Sequence, residues 1–173
     1  MGDMWDFGRA ELLEPEAIGE PGQRRFRLRV QSGSDAASLW MEKEQLAALS
    51  MGIRQILEQN TGDEADEPDP PPPTNDFPEQ PRADFQIGRM GVGYDEEKRM
   101  LVIVTHEQGE AADASPTFIC QASRSQCQAF AERAEAVISA GRPVCLLCGL
   151  AIDAEGHPCL RRNGHAQQPV ALE

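Results

Sequence analysis

The sequence has no apolar run approaching the roughly 20 residues that a membrane-spanning helix requires. Basic residues are few. Lys and Arg number 16 against 29 Asp and Glu, a formal net charge of −13 over 173 residues. A surface this acidic repels nucleic acid and anionic lipid, so neither is an expected partner. The opening Met1-Gly2-Asp3-Met4-Trp5-Asp6 lacks a cationic start followed by an apolar core, so no signal peptide is expected. Asp6 stands where a myristoylation signal carries Ser or Thr. The expected compartment is the cytoplasm, where thiols stay reduced and clustered cysteines point to metal before disulfide. Catalytic signatures are missing as well: there is no Ser-His-Asp order, no phosphate-cradling loop and no paired acidic motif. Gly88, Gly91 and Gly93 are too sparse for a nucleotide loop and precede no helix.

What is present reads in order as strands and helices. Trp5 and Phe7 alternate with Asp6 and Gly8, predicting a short edge strand. Glu20-Pro21-Gly22-Gln23 is a turn. Phe26, Leu28 and Val30 then alternate with Arg25, Arg27 and Arg29, a half-buried strand with a basic outer face. A third strand carries Ala37, Leu39 and Met41 on one face. A helix begins near Glu42 with the stripe Leu46, Leu49, Ile53, Ile56 and Leu57, and ends at Asn60 and Gly62. Residues 61–82 are acidic and carry four consecutive prolines, Pro70 to Pro73, which predicts a solvated, extended linker. Strand signals resume at Phe85 and Ile87, then at Met100–Val104 and Thr117–Ala122. Ser123 and Gln126 form a capping box that opens a second helix running to about Ala140 and stopping at Gly141.

The second helix repeats the first. Its stripe, Cys127, Phe130, Ala134, Val137 and Ile138, lies 81 residues after the first stripe. The same offset matches Gln45 with Gln126 and Ala37, Leu39 and Met41 with Phe118, Cys120 and Ala122. The expected class is α+β: two pseudo-symmetric β-β-β-α units packed together, plus a small C-terminal zinc knuckle or ribbon. The expected divisions are 1–60, the linker 61–82, 83–141, and the knuckle with its tail, 142–173.

The chemistry concentrates at the end of the chain. Cys145-x-x-Cys148-Gly149 sets two sulfurs on a tight turn, and His157 and Cys159 lie two apart, on one face of an extended segment. Together Cys145, Cys148, His157 and Cys159 make a closed zinc site, with His165 as the rival fourth ligand. Four protein ligands leave no open position for water, so the zinc is expected to be structural. Arg161 and Arg162 beside it are suited to an acidic partner or to ion pairs with the acidic body.

These motifs resemble a family. Glu20-Pro21-Gly22-Gln23-Arg24, Glu42-Lys43-Glu44-Gln45, Cys145-x-x-Cys148-Gly149, Asp153-x-Glu155-Gly156-His157-x-Cys159 and Arg162-Asn163-Gly164 resemble an uncharacterised bacterial family, domain of unknown function 3090, also described as a repeat protein. The resemblance covers almost the whole chain and differs most in the linker. The family's usual Pro after the first and third motif cysteines is replaced by Leu146 and Leu160, which alters turn stiffness and leaves the ligands untouched. The family carries no established activity. Its association with a phosphoinositide-kinase-like and a phosphomutase-like protein implies, by gene neighbourhood alone, a shared pathway.

Other residues invite weighing. Arg24, Arg25, Arg27 and Arg29 read first as a charged edge strand protected from aggregation, second as an anion site, and third as a seat for the acidic linker. His106 ends a strand and reads as a surface residue. Cys120 and Cys127 fall at apolar positions and read as inert core thiols. The expected function is a non-enzymatic, zinc-stabilised module that binds an unknown protein partner. The alternative is an enzyme or a phosphate or nucleotide binder, with Gln45, Gln126 and the Arg24 region converging in a cleft between the units.

Overall fold

The computed structural model describes residues 4–20, 23–60 and 68–140. The fold is mixed α+β, with a seven-stranded sheet and two helices. In chain order the elements are β1 (Trp5–Arg9), β2 (Leu12–Ile18), β3 (Arg25–Ser32), β4 (Asp35–Met41), α1 (Lys43–Gln59), β5 (Ala83–Asp95), β6 (Met100–Glu107), β7 (Phe118–Ala122) and α2 (Arg124–Ala140).

Local chemistry accounts for the helix ends. The Gln45 side chain accepts a hydrogen bond from the Glu42 N–H at 2.8 Å, which satisfies a donor that the first turn of α1 leaves without a partner. At α2 the box is reciprocal. The Ser123 N–H donates to Gln126 Oε1 at 2.9 Å, and the Gln126 N–H donates to Ser123 Oγ at 3.1 Å. Asn60 closes α1 by donating from its side chain to the Ile56 carbonyl at 2.9 Å. The two helices begin at 43 and 124 and end at 59 and 140, 81 residues apart at both ends.

The sheet order is β1-β7-β6-β5-β4-β3-β2. Pairing is antiparallel throughout except at β4–β5 and β1–β7, which are parallel. The parallel β4–β5 pair is possible because α1 and the linker carry the chain back across the sheet. The two ends of the strand order, β1 and β2, are separated in sequence only by Ala10 and Glu11. The Ala10 N–H donates to the Gln121 carbonyl at 2.7 Å, and the Glu11 N–H donates to the Gln31 carbonyl at 2.8 Å. The chain therefore steps from the β7 side to the β3 side within two residues, and the sheet rolls until its ends meet.

One face of the rolled sheet and the inner stripes of both helices form one hydrophobic cluster. It includes Phe26, Leu28, Val30, Leu39, Leu101, Ile103 and Phe118 from strands, and Leu46, Leu49, Ile53, Phe130 and Ala134 from helices. Phe7 meets Phe118 edge-on at 4.8 Å between ring centres. α1 lies close to β5 at Gly52, where a Cβ would come within 3.0 Å of Val92 Cγ1.

Two expectations are corrected. β3 is not an edge strand: it lies between β2 and β4, so its arginines have no edge to protect. β2 is a strand that the alternation rule misses, because Pro15 and two glutamates interrupt it. Pro15 pairs with Leu28, and Glu14 and Glu16 stand in register with Arg29 and Arg27. The described part of the linker, residues 68–82, holds no helix or strand, yet Pro68, Asp69 and Arg82 anchor it to the body.

Candidate functional site

The outer face of β2, β3 and β4 carries the arginines that the sequence singles out. Strand register alone places each carboxylate opposite its cation. Arg27 bonds to Glu16 at 2.5 Å and to Ser38 Oγ at 3.1 Å, while Arg29 bonds to Glu14 at 2.8 Å. Arg133 of α2 also donates to Glu14. Arg25 lies over the Trp40 ring at 4.1 Å, and Arg24 over Phe26 at 5.3 Å. Phe77 of the linker covers Arg27 and Arg29, at 5.1 and 5.6 Å from its ring centre. Arg25 remains exposed, whereas Arg27 and Arg29 are already paired. Composition could not indicate this, because Glu14, Glu16 and Phe77 become neighbours only through register and the path of the linker.

The linker is held at two further points. Asp69 accepts hydrogen bonds from the Ser123 and Ser125 hydroxyls at the start of α2, the latter at 2.5 Å, and lies 3.7 Å from Arg9. An acidic group there complements the positive end of the helix dipole. Arg9 also donates to the Pro68 carbonyl at 3.0 Å, and Arg82 bonds Asp35 at 3.0 Å.

Gln45 and Gln126 do not converge on a cleft. Each spends its amide on structure. The Gln45 NH₂ donates to the Ile87 and Gly88 carbonyls at 3.3 and 3.4 Å, and the Gln126 NH₂ donates to the Ala10 carbonyl at 2.8 Å. Each glutamine thus caps its own helix and ties it to a strand distant in sequence. Arg24 precedes β3 and lies over the Phe26 ring.

The helix pair presents two grooves to solvent. One, of about 320 Å³, is lined by Arg54, Leu57 and Glu58 of α1 and by Arg124, Gln128, Ala131 and Glu132 of α2. The other, of about 300 Å³, is lined by Ala47, Ser50 and Met51 of α1 and by Glu135, Ile138 and Ser139 of α2. Between them Ser50 Oγ donates to the Ala131 carbonyl at 3.4 Å, and Arg54 pairs with Glu135 at 2.9 Å. Sequence reasoning passed over Met51. The available signal is a large apolar residue lying off the helix's buried stripe.

Cys120 and Cys127 are fully buried. Burial, then the neighbouring Cys127 and Asp6, pushes the Cys120 thiol far up. Burial, then Asp69, raises Cys127 to about 12. Both stay protonated at neutral pH and are poor nucleophiles, as expected of core thiols. His106 pairs in register with Arg89, and its Nδ1 is buried without a hydrogen-bond partner.

Among the described residues no group of three or more His, Cys, Asp and Glu is placed to hold a metal. Cys145, Cys148, His157, Cys159 and His165 all lie outside the described residues, so the predicted metal set does too. No described helix is long and apolar enough to cross a membrane.

No curated protein and no solved structure matches the chain. A family model described as "Protein of unknown function (DUF3090)" matches residues 5–159, from β1 through the cysteine-histidine motif to Cys159. The chain is a member of that family.

Proposed function

We propose that the chain is a duplicated scaffold carrying a zinc-stabilised C-terminal segment, and that it works as a non-enzymatic protein-interaction module. The duplication is supported by which residues touch. On a two-fold axis an element meets its own counterpart. Ser50 bonds to Ala131 and Arg54 pairs with Glu135, and both pairs are 81 residues apart, the same offset that relates α1 to α2. The two grooves obey the same rule: Ala47, Ser50, Met51, Glu135, Ile138 and Ser139 correspond to Gln128, Ala131, Glu132, Arg54, Leu57 and Glu58. Gln45 and Gln126 do equivalent work. Strand β5 plays the part that β1 and β2 share: its first residues pair in parallel with β4 as β1 does with β7, and its remainder pairs antiparallel with β6 as β2 does with β3.

The observation that carries the zinc reading is the donor set. Three thiols and an imidazole, Cys145, Cys148, Cys159 and His157, match structural zinc in type and spacing, with His165 as the alternative nitrogen donor. Such a metal would be bound only by deprotonated sulfurs, would order a short segment and would leave no open coordination position for chemistry. The scaffold supports a binding role, because the polar residues with the richest networks, Gln45, Gln126, Asp69, Arg27 and Arg29, are all spent on structure.

The test is elemental analysis of untagged protein, before and after Cys145→Ser. One zinc per chain, lost in the variant together with thermal stability, is expected. A metal-free wild-type protein with reactive Cys145 and Cys148 would overturn the zinc reading and direct attention to thiol chemistry.

A small-anion binder is the second reading, and it has one specific support. The larger groove lies between the two helices and offers Arg54 and Arg124, and Arg54 Nε is buried without a hydrogen-bond partner. A thermal-shift panel of phosphates and nucleotides tests it. A stabilisation lost in both Arg54→Ala and Arg124→Ala would favour it.

A further inference from the structure

We propose that the smaller groove between α1 and α2 is the docking site for the chain's own apolar segment, residues 144–152. This goes beyond the interaction-module reading and holds whether or not zinc is bound.

The groove is much less charged than its counterpart. It offers Ala47, Met51 and Ile138 with Ser50, Ser139 and one charged residue, Glu135, while the other carries four, Arg54, Glu58, Arg124 and Glu132. Met51 is 72% exposed, more than any other large hydrophobic residue among those described. An exposed methionine beside a concave apolar surface is a flexible contact awaiting a partner. At about 300 Å³ the groove is twice the 150 Å³ or so that holds a benzene-sized group, room for two leucine-sized side chains.

Position selects the occupant. Ile138 and Ser139 line the groove, and the next residue, Ala140, is the last of α2. The chain therefore leaves α2 at the groove's rim. After Gly141-Arg142-Pro143 comes Val-Cys-Leu-Leu-Cys-Gly-Leu-Ala-Ile, nine residues without a charged, amide or hydroxyl side chain, within the longest such run in the sequence. Six residues from Ala140 reach Leu146, a span of up to roughly 20 Å, enough to turn back over Met51. The counterpart groove obeys the same logic. α1 ends beside it at Gln59, and the segment that leaves α1 is the acidic linker, with Asp63, Glu64, Asp66 and Glu67. Each groove thus matches in polarity the segment that departs from it: the one with four charged residues lies beside the charged exit, and the one with a single charge, Met51 and Ile138 lies beside the apolar exit.

The experiment uses the full chain with benzoylphenylalanine incorporated in place of Met51. Irradiation followed by peptide mass spectrometry should yield an intramolecular cross-link to residues 144–152. A cross-link joining two chains would make a second copy the occupant, and an absent cross-link, or one elsewhere in the chain, would also overturn the proposal. In parallel, Met51→Asp, at a position exposed enough to leave the fold intact, should speed amide exchange across 144–152 at least tenfold while zinc content stays unchanged. Unaltered exchange would overturn the proposal. Measuring zinc content and the cross-link on the same chain with Cys145 intact separates the two readings: docking in a zinc-free chain refutes the metal alone, and one zinc per chain without docking refutes this inference alone.

Discussion

Gln126 should be one of the most consequential polar residues of the body. Gln126→Ala removes two bonds at once: the one it accepts from the Ser123 N–H and the one it donates to the Ala10 carbonyl. Ala10 is fully buried at the point where β1 passes into β2, so its carbonyl loses its side-chain donor where water does not replace it. A deserted buried acceptor costs about 1–3 kcal/mol and a lost cap bond about 1 kcal/mol, so the sum is about 2–4 kcal/mol. Gln45→Ala is the internal control. Its bonds to Ile87 and Gly88 are longer, 3.3 and 3.4 Å, and the Gly88 bond is solvent-exposed. Its cost should be nearer 1 kcal/mol. Urea unfolding at fixed metal concentration measures both free energies, and thermal unfolding should show a fall in Tm of roughly 4–16 °C for Gln126→Ala and 2–4 °C for Gln45→Ala. Gln126→Glu keeps the acceptor, deletes the donor and at neutral pH sets a charge against the Ala10 carbonyl, so its cost at that carbonyl should exceed that of Gln126→Ala. If Gln126→Ala lies within about 0.5 kcal/mol of wild type, or Gln45→Ala costs as much, the assignment of these amides as ties across the fold is wrong.

The packing sets other outcomes. Cys120 and Cys127 should resist a thiol reagent at pH 8 until denaturant is added, and rapid labelling of either in native protein would contradict their burial. The Cys127 thiol is raised from an ordinary value near 9 to about 12, so its stabilisation is complete below pH 9 and is lost as pH rises toward 12. An unfolding series should show that decline, about 1.4 kcal/mol per pH unit per thiol, with the Cys127 share removed by Cys127→Ala and the Cys120 share remaining. Phe118→Ala deletes a fully buried ring packed on Phe7 and should lower the unfolding free energy in urea by about 3–5 kcal/mol; a loss under about 1.5 kcal/mol would mean that the site collapses freely. Gly88→Ala would place a Cβ 2.9 Å from Gln108 Cα, a backbone atom that cannot swing aside, so a cost of about 1–3 kcal/mol is expected in the same assay.

Much of the fold was legible because its elements obey simple periods. β3, β7 and both helices show the alternation or the helical stripe that their burial later displays, whereas β6 reads as a fully buried run yet leaves Val102 and Val104 half-buried, and β4 buries Ala36 to Leu39 in succession. The Ser123 box was readable because both partners lie within one turn. β2 was not, because Glu14-Pro15-Glu16 resembles a loop until Arg27 and Arg29 stand opposite. The arginine face was visible as charge, but its neutralisation depends on strand register, which no local pattern encodes. Gln45 and Gln126 are legible as a matched pair, but the sequence shows only that two residues correspond and not which carbonyls their amides meet. Asp69 and Phe77 were hidden in a stretch whose composition signals solvation, because single anchors leave composition unchanged.

The join between β1 and β2 bears on how the protein is made. The first strand to be synthesised pairs with nearly the last: Trp5 must wait for Phe118. β2 to β5 can assemble from neighbouring segments as they emerge, but the roll cannot close until β7 is complete. Until then β1 and the flank of β6 are open edges, the kind that recruit strands from other chains. Closure by such distant contacts places folding among the slow, non-local cases, in milliseconds to seconds. A chain halted before Ala122 would therefore present two sticky edges, so the quality of this fold is decided in the last step of its assembly.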